Sequence, residues 1–350
     1  MPVNKCRIAK NAVILYIRMA VVLFISLFSA RIVLNQLGAS DYGTYNVVGG
    51  VVTLLNFVIT ALSQGIQRFF NFYKGRGDYN SVNKYFWSGL VVMGILGLCI
   101  VLLCETVGLW FLNAKMNIPI ERMVAANWVF QFAVISMALS IITAPYNSII
   151  VAHEDFNIYS YLSIGQSLSV LLTALLLKAA PFDKMVYYAL LMLIFHIAYV
   201  FAIVLICRIR YPQVHPEKHK EKEKYKELIG FSGWTTLGVG VYVLGTQGVN
   251  IILNLFFGTI VNAARSIAFQ IAGKVDEFIN GIQQATNPQI VQLFSRKEYN
   301  EMQSLVFDNM RWSFAMYWFI ALPLLFEIDY ILQIWLVEVP EYTSIFTVMR

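Results

Sequence analysis

Charged residues are scarce in this chain. Only 13% of its 350 residues are Asp, Glu, Lys or Arg, whereas soluble globular domains carry about 25%. Hydrophobic residues make up 58% of the chain, and its mean hydropathy is +0.64. This composition excludes an ordinary soluble domain and indicates a protein that is embedded in a lipid bilayer.

The residues and motifs of metal and nucleotide chemistry are also scarce. The four cysteines lie in or beside apolar segments without metal-ligand spacing, where packing as small apolar side chains is their ordinary role. His215 and His219 have no third ligand nearby, so we expect neither a metal site nor a cofactor. The sequence contains no HExxH motif and no Walker motif, which leaves zinc proteolysis and ATP-driven transport without support.

The sequence also lacks the features of two further classes of membrane protein. The predicted outer loops are short and carry no His/Arg/Asp cluster, such as a membrane glycan polymerase or ligase would need. No filter loop or symmetric ring of polar residues indicates a channel. We therefore expect that the chain is not an enzyme, and transport is the function that the composition favours.

Apolar segments of about 20 residues, the length that a bilayer requires, recur along the whole chain. They predict nine membrane spans and the start of a tenth near residue 343, so the chain is expected to be a fragment. The nine predicted spans are 12–34, 45–66, 86–112, 124–146, 158–178, 185–207, 228–256, 259–287 and 305–326. No cleavable signal peptide is expected, because the first apolar segment is long and carries Arg18.

Lys and Arg are unevenly distributed between alternating loops. The loops on the N-terminal side hold sixteen of them, and the opposite loops hold only Lys115, Arg122, Lys178 and Lys184. This bias predicts a multi-pass protein with its N-terminus in the cytoplasm, which in a bacterium places it in the cytoplasmic (inner) membrane. It also accounts for the net charge of +6 without nucleic acid as a partner.

One stretch reads as soluble and divides the chain. Residues 208–227, RIRYPQVHPEKHKEKEKYKE, mix Lys with Glu and contain two prolines, which predicts a solvated cytoplasmic linker. The linker separates a six-span N-terminal bundle (1–207) from a partial C-terminal bundle (228–350). That second bundle holds spans 7 to 9 and the start of the tenth.

The two halves also show an internal repeat. At an offset of 220 residues, RGDYN (76–80) falls on RKEYN (296–300), and Gly38 falls on Gly258. The order of spans, short outer turn and basic inner loop agrees as well. The predicted fold class is an all-α integral membrane protein with two pseudo-symmetric six-helix bundles around a central cavity, the second bundle being incomplete.

The segment that begins at Asn262 carries charged and amide side chains on one helical face. The polar members are Arg265, Ser266, Gln270, Lys274, Asp276, Glu277, Asn280, Gln283 and Gln284. Lipid cannot solvate such a face, so it must meet protein or a water-filled cavity. The alternative is a helix that lies in the plane of the interface. The second span carries a matching stripe at Thr53, Asn56, Thr60, Ser63, Gln64 and Gln67, which predicts a cavity between the halves.

Several polar side chains lie inside other predicted spans. Arg18 is several residues inside the first one, where burial costs several kcal/mol unless something compensates the charge. It is either a cavity cation for an anionic substrate or the partner of a carboxylate such as Asp276 or Glu277. Glu105 either lines a cavity or pairs between helices. His196 is expected to have a hydrogen-bonded packing role.

Two segments resemble a known family. LGASDYGTYNVV (37–48) is similar to the "LG…YG.Y" signature of polysaccharide repeat-unit flippases, at Leu37, Gly38, Tyr42, Gly43 and Tyr45, and APYNSIIVAHEDF (144–156) resembles the exit of their fourth span. These O-antigen and lipopolysaccharide biosynthesis proteins belong to the multidrug/oligosaccharidyl-lipid/polysaccharide exporter superfamily. The resemblance implies a V-shaped pair of six-helix bundles. It also implies that an oligosaccharide on undecaprenyl diphosphate is flipped from the cytoplasmic to the outer leaflet by alternating access.

The predicted cavity residues divide by their chemistry. Lys274 and Arg18 suit the diphosphate, the amides and hydroxyls suit sugar hydroxyls, and Asp276 and Glu277 would balance charge or carry a coupling ion. The predicted substrate-binding set is Arg18, Asn56, Thr60, Gln64, Arg265, Gln270, Lys274, Asn280 and Gln284. Expected partners are the lipid-linked oligosaccharide, the bilayer and other polysaccharide-assembly proteins. The alternatives are a cation-coupled multidrug antiporter of the same superfamily and a non-transporting membrane partner of a glycan-assembly complex.

Overall fold

The computed structural model describes the backbone of residues 5–53, 55–116, 118–335 and 344, which is helical and contains no strand. Side chains are described for most of these residues. The exceptions are residues 5–9, most of 243–267, and scattered positions that include Gln270, Lys274 and Glu277. The predicted start of a tenth span, near residue 343, lies outside the described residues.

Nine α-helices follow one another along the described chain. They are α1 (Lys5–Thr53), α2 (Asn56–Gly75), α3 (Tyr79–Leu103), α4 (Leu109–Ala114), α5 (Met123–Ala152), α6 (Phe156–Leu176), α7 (Lys184–Arg210), α8 (Lys222–Ser295) and α9 (Tyr299–Trp335). A π-helical turn at Cys104–Gly108 joins α3 to α4, so these two helices form one long element.

Six helices of the described chain are long and apolar enough to cross a membrane. They are Lys10–Gly38, Tyr79–Ala114, Ile120–Ala152, Phe156–Ala179, Lys184–Arg210 and Tyr299–Gln333. Each of them contains one predicted span, so six of the nine predictions are confirmed. The chain is a multi-pass membrane protein, as its composition predicted.

The predicted span 45–66 is not one continuous helix. Within α1 the backbone bends at Gly38, whose φ of 78° and ψ of 166° are not helical. A residue without a Cβ adopts this backbone conformation at the lowest cost. The helix then ends at Thr53, and α2 begins at Asn56. Between them the N–H of Leu55 bonds to the carbonyl of Val52 at 3.2 Å, which makes a turn in the middle of the predicted span.

The predicted spans 228–256 and 259–287 both lie within α8. Its helical assignment covers 74 residues and continues through Gly258, where the repeat predicted a turn. At 1.5 Å per residue a straight helix of this length would measure about 110 Å, and the hydrocarbon core of a bilayer is only about 30 Å thick. A single crossing uses only part of α8, and the two spans predicted within it stay predictions.

The chain forms two compact units. The N-terminal unit is Ile17–Thr236, and the C-terminal unit is Met1–Tyr16 together with Leu237–Arg350. The first residues of α1 therefore belong to the C-terminal unit. The predicted division at 1–207, 208–227 and 228–350 stays a prediction.

The N-terminal unit is built around α5, which packs against α2, α3, α6 and α7. Small residues bring α3 close to it, because a Cβ on Gly97 would lie 3.4 Å from Ile141 and a Cβ on Gly108 only 2.8 Å from Phe130. Pro145 is buried inside α5, and the helix continues past it to Ala152, because packed neighbours support the helix there.

The internal repeat is visible in the hairpins that it predicted. Gly77 and Lys297, which the offset pairs, both have positive φ, at 74° and 63°. In each hairpin the next N–H bonds to the carbonyl five residues earlier, at 3.0 Å in the first and 3.1 Å in the second. This is the Schellman ending of a helix, in which a left-handed residue closes the last turn. RGDYN and RKEYN therefore form the same turn in two different units.

The segment between α7 and α8 is held against α3. The side-chain oxygen of Asn83 accepts a hydrogen bond from the backbone N–H of His215 at 3.1 Å. His219 Nε2 lies 2.8 Å from the hydroxyl of Ser88. Tyr211 and Val214 at the start of the segment are buried. The linker is therefore docked on its own unit through a few residues, while most of its side chains are exposed.

Candidate functional site

A cavity of about 370 Å³ lies among α1, α6 and α7 of the N-terminal unit. Six of the ten residues that line it are polar, although all three helices are predominantly apolar. These six are Ser26, Ser163, Gln166, Ser167, Ser169 and His196. A cavity with several polar side chains among membrane-spanning helices is a candidate binding site, because polar groups at membrane depth are costly and usually functional. We call it the N-terminal cavity.

The helix α6 supplies half of the lining. Ser163, Gln166, Ser167 and Val170 stand at i, i+3, i+4 and i+7, which places them on one helical face. The sequence analysis missed this stripe. Its signal was present in the predicted span 158–178 as the recurrence of hydroxyl and amide residues at helical spacing.

Arg18 lies next to the N-terminal cavity. It is half-buried within the apolar span Lys10–Gly38. Its Nη1 donates to the hydroxyl of Ser163 at 3.2 Å, and its guanidinium carbon lies 5.1 Å from the ring centre of Tyr159. Its buried Nε has no hydrogen-bond partner. Within its own unit, no described carboxylate pairs with this arginine, so an aromatic ring and a hydroxyl are its described neighbours.

His196 belongs to a hydrogen-bonded network between α5 and α7. Its Nε2 lies 3.2 Å from the hydroxyl of Ser140, and its ring lies 5.9 Å from that of Tyr199. The hydroxyl of Tyr199 in turn donates to the side-chain oxygen of Asn147 at 3.3 Å. The hydrogen-bonded packing role predicted for His196 is confirmed. Its position in the lining of a cavity was not predicted.

The predicted stripe on α2 is partly exposed. Asn56, Thr60 and Gln64, three of the predicted substrate-binding residues, are exposed and follow one another at intervals of four. The hydroxyl of Thr60 donates to the carbonyl of Asn56 at 3.0 Å, so its oxygen lone pairs are left to accept from a ligand. Their role in binding stays a prediction.

The polar and apolar faces predicted for α8 are present among its described side chains. Val275, Ile282 and Ala285 are buried, whereas Asp276 and Asn280 are exposed. Gln284 is half-buried. The side chains of the remaining predicted residues Gln270, Lys274 and Glu277 lie outside the described part of the chain.

Arg265 differs from the other polar residues of α8. Its side chain is 7% exposed, and its guanidinium carbon lies 4.0 Å from the ring centre of Phe269, one turn along the helix. A cation over an aromatic face is stabilised by the quadrupole of the ring. The role predicted for Arg265 in substrate binding stays a prediction.

Two pairs of polar side chains tie the end of the α3–α4 element to α5. Glu105, in the π-helical turn, accepts from the amide of Gln131 at 3.0 Å. Asn113 and Asn127 exchange hydrogen bonds at 3.1 and 3.0 Å. Of the two interpretations open for Glu105, pairing between helices is the one that the described contacts support.

Metal binding finds no candidate in the described side chains. Among them no group of three or more His, Cys, Asp or Glu could hold a metal ion. The groups that the described site offers to a ligand are therefore a cation, hydroxyls, an amide and an imidazole.

No family model matches the sequence, and no curated protein matches it either. The fold does match solved structures. One is an outward-facing multidrug resistance MATE family transporter of the MOP superfamily, with 13% sequence identity and a TM-score of 0.82. The match covers 98% of this chain and 76% of the other. A crystal structure of MATE in the straight conformation matches with 14% identity and a TM-score of 0.80, over 97% and 76% of the two chains.

A third structure differs in its description. It is a MOP superfamily transporter from Pyrococcus furiosus, reported with a binding pocket of reverse polarity that suggests a different function. It shares 15% identity with this chain at a TM-score of 0.78, over 97% of this chain and 75% of the other. At such identities the likeness establishes the fold alone. This chain has the all-helical fold of MATE and other MOP superfamily transporters.

Proposed function

We propose that this chain is a transporter that flips an undecaprenyl-diphosphate-linked oligosaccharide repeat unit from the cytoplasmic to the outer leaflet. The repeat unit would serve cell-surface polysaccharide synthesis, and alternating access would move it. The transporter fold supports transport in preference to catalysis. The resemblance at residues 37–48 and 144–156 supports the polysaccharide branch of the superfamily.

The observation that carries the proposal is the position of Arg18. Its guanidinium is half-buried in an apolar span, and in its own unit it contacts a hydroxyl and an aromatic ring instead of a described carboxylate. An uncompensated cation in a bilayer costs several kcal/mol. A diphosphate would offset this cost, because guanidinium and phosphate form short, paired hydrogen bonds.

The experiment compares export in cells that depend on this protein for surface polysaccharide. Arg18→Gln should reduce the appearance of the lipid-linked repeat unit on the outer leaflet about tenfold or more, the loss expected for a hydrogen bond to a charged group. Lys274→Ala and Asp276→Asn test the predicted substrate-binding role of the polar face of α8 in the same way. Variant levels in the membrane are measured alongside.

The matched control is Arg31→Gln, the same substitution on the same helix at an exposed arginine. Export should stay at the parental level in this variant. The proposal is wrong if Arg18→Gln reaches the membrane and exports as well as Arg31→Gln does. Normal export in both Lys274→Ala and Asp276→Asn would contradict only the predicted role of α8 in binding the substrate.

The second candidate function is a cation-coupled multidrug antiporter. The observation that favours it is the fold match to a multidrug resistance transporter. It predicts that cells expressing the chain resist organic cations and that Asp276→Asn abolishes this resistance. Resistance without any effect on polysaccharide export would establish the antiporter and exclude the flippase.

A further inference from the structure

We infer that the N-terminal cavity is the binding subsite for the sugar residue that is attached directly to the diphosphate of the substrate. In this arrangement a neutral sugar ring occupies the cavity and its phosphate lies at Arg18. The inference rests on the proposed function for the identity of the substrate, and it adds a location that the sequence did not predict.

Three of the serines that line the cavity donate their hydroxyl protons to backbone carbonyls of their own helix. Ser26 donates to the carbonyl of Val22 at 2.7 Å, and Ser169 donates to the carbonyl of Gly165 at 2.9 Å. Ser167 does the same toward the carbonyl of Ser163 at 3.2 Å. Each hydroxyl oxygen therefore keeps its lone pairs for a ligand. The cavity offers acceptors and binds a ligand that donates hydrogen bonds.

His196 also lines the cavity. Its Nε2 lies 3.2 Å from the hydroxyl of Ser140, which lies 3.1 Å from the carbonyl of Ser136. The tautomer of His196 sets which of its ring nitrogens donates and which accepts. The side-chain amide of Gln166 contributes both a donor and an acceptor.

Sugars and protonated amines are two classes of ligand that donate several hydrogen bonds. None of the ten lining residues is acidic, so the described cavity has no negative charge to balance a cation. Arg18 bonds directly to Ser163, one of these lining residues, and its positive charge repels a second cation. A neutral, polyhydroxylated ring therefore fits this cavity better than an organic cation does.

The size of the cavity limits what it holds. A volume of about 370 Å³ is at the lower end of the range of about 300 to 1,000 Å³ for small-molecule sites. One sugar residue matches that size, and a whole repeat unit requires more space. The rest of the oligosaccharide must therefore lie outside the N-terminal cavity.

Arg18 fixes which sugar this is. Its Nη1 bonds to Ser163, which lines the cavity, and its buried Nε has an N–H without a partner. A phosphate beside this guanidinium would accept from it and lie next to the ring in the cavity. In the substrate only the first sugar is joined directly to the diphosphate.

The test measures binding to the purified full chain in detergent. The probes are undecaprenyl diphosphate, the same lipid bearing N-acetylglucosamine, and the same lipid bearing galactose. We expect at least one sugar-bearing lipid to bind more tightly than the bare lipid. The double variant Gln166→Leu/Ser167→Ala should lose about three- to tenfold of that affinity, as expected for lost neutral hydrogen bonds. Its affinity for the bare lipid should not change.

Two further variants complete the design. Arg18→Gln should weaken binding of the bare and the sugar-bearing lipids alike, because both carry the diphosphate. Gln303→Leu makes the same change of side chain at an exposed position of α9, outside the cavity, and should bind all three lipids as the parent does. This control separates loss of the subsite from a general effect of removing an amide.

Three results would overturn the inference. Neither sugar increases the affinity, or the double variant keeps the full increase, or ethidium displaces the sugar-bearing lipid and loses its own binding in the double variant. Export in cells distinguishes failure of the sugar subsite from failure of the proposed flippase function. A chain that binds through the cavity but does not export contradicts only the flippase, and a chain that exports while the double variant binds normally contradicts only the subsite.

Discussion

Arg122 joins three separate segments at the end of the N-terminal unit that is opposite the linker. Its two terminal nitrogens each lie 2.5 Å from a carboxylate, one of Asp41 and one of Asp183. Asp183 also accepts from the backbone N–H groups of Met185 and Val186 at 3.0 and 3.1 Å, which caps α7. One guanidinium thereby holds the bend in α1, the start of α5 and the start of α7 together.

The ionisation of Asp183 follows from these contacts. Its partial burial alone would raise its pKa, but the hydrogen bonds from Arg122, Val186 and Met185 outweigh burial and lower the pKa below 3.8. A carboxyl whose pKa is lower in the folded state stabilises the fold above its unfolded value. This contribution is lost as the pH falls through the lowered pKa, so it is fully present at neutral pH.

We predict that Arg122→Ala lowers the stability of the chain by about 1 to 3 kcal/mol, because two carboxylates then lose the donor they share. Thermal unfolding of the purified chain in detergent measures the change. Lys178→Ala, which removes an exposed basic residue from the same predicted side, should leave the midpoint where it is. Equal midpoints for both variants would mean that the Arg122 contacts do not stabilise the unit.

A second prediction concerns the residue that closes the repeated turn. Lys297 has a φ of 63°, a conformation that costs a residue with a Cβ roughly 1 to 2 kcal/mol. Lys297→Gly removes this strain but adds freedom to the unfolded chain, so we expect a net gain of about 0.5 to 1 kcal/mol. The reverse exchange in the other half, Gly77→Ala, should lower stability by a similar amount, because Gly77 has a φ of 74°.

Unfolding midpoints of the two variants in detergent test this pair. A Cβ on Gly77 would meet nothing within 4 Å, so backbone strain is the only cost expected there. Lys297→Ala is the control for loss of the lysine side chain and should not raise the midpoint. A gain in Lys297→Ala equal to that in Lys297→Gly would show that the side chain, and not φ, is responsible.

At the scale of elements, the segment between α7 and α8 depends on one side of α3. Asn83 contributes its side-chain oxygen to the N–H of His215 and its carbonyl to the N–H of Glu217, at 3.1 and 3.4 Å. Farther along the segment, Glu221 pairs with Lys84 of α3 at 2.6 Å. The exposed ion pair contributes little by itself, so the buried amide is the main attachment.

We predict that Asn83→Ala releases this segment. Loss of its side-chain hydrogen bonds should raise the rate of tryptic cleavage after Lys218 and Lys220 roughly tenfold, because cleavage requires local opening. Mass spectrometry of the fragments measures the two rates. Asn80→Ala changes an exposed asparagine near the same end of α3 and should be cut at the parental rate. Equal rates in the two variants would place the attachment elsewhere.

At the scale of the whole molecule, the charge bias predicts one orientation in the membrane. Lys220 lies in the segment that follows α7, and Lys178 lies beyond the other end of that helix, so they belong on opposite sides. We expect a membrane-impermeant maleimide to label Lys178→Cys in intact spheroplasts and Lys220→Cys only after lysis. The parent, which carries the native cysteines, supplies the background. The reverse pattern of labelling would show that the predicted orientation is inverted.

The amino-acid sequence was enough to predict a helical, multi-pass membrane protein, because a run of about 20 apolar residues has few other stable environments. It also determined the repeated hairpin turn, because RGDYN and RKEYN close their helices with local hydrogen bonds that need no distant partner. The split of α8 into polar and apolar faces follows from helical periodicity for the same reason. These features depend on neighbours in sequence.

Which polar groups meet depends on how the helices pack. Arg18 contacts Ser163 across 145 positions of sequence, and Asn83 bonds to the N–H of His215 in the segment that follows α7. The N-terminal cavity was missed because periodicity gives the face of a helix but not the neighbour that this face contacts. The rotation and spacing of each helix are set by packing against the others, such as the close approach of α3 to α5 at Gly97 and Gly108. A binding site made by several helices therefore exists only once they are packed.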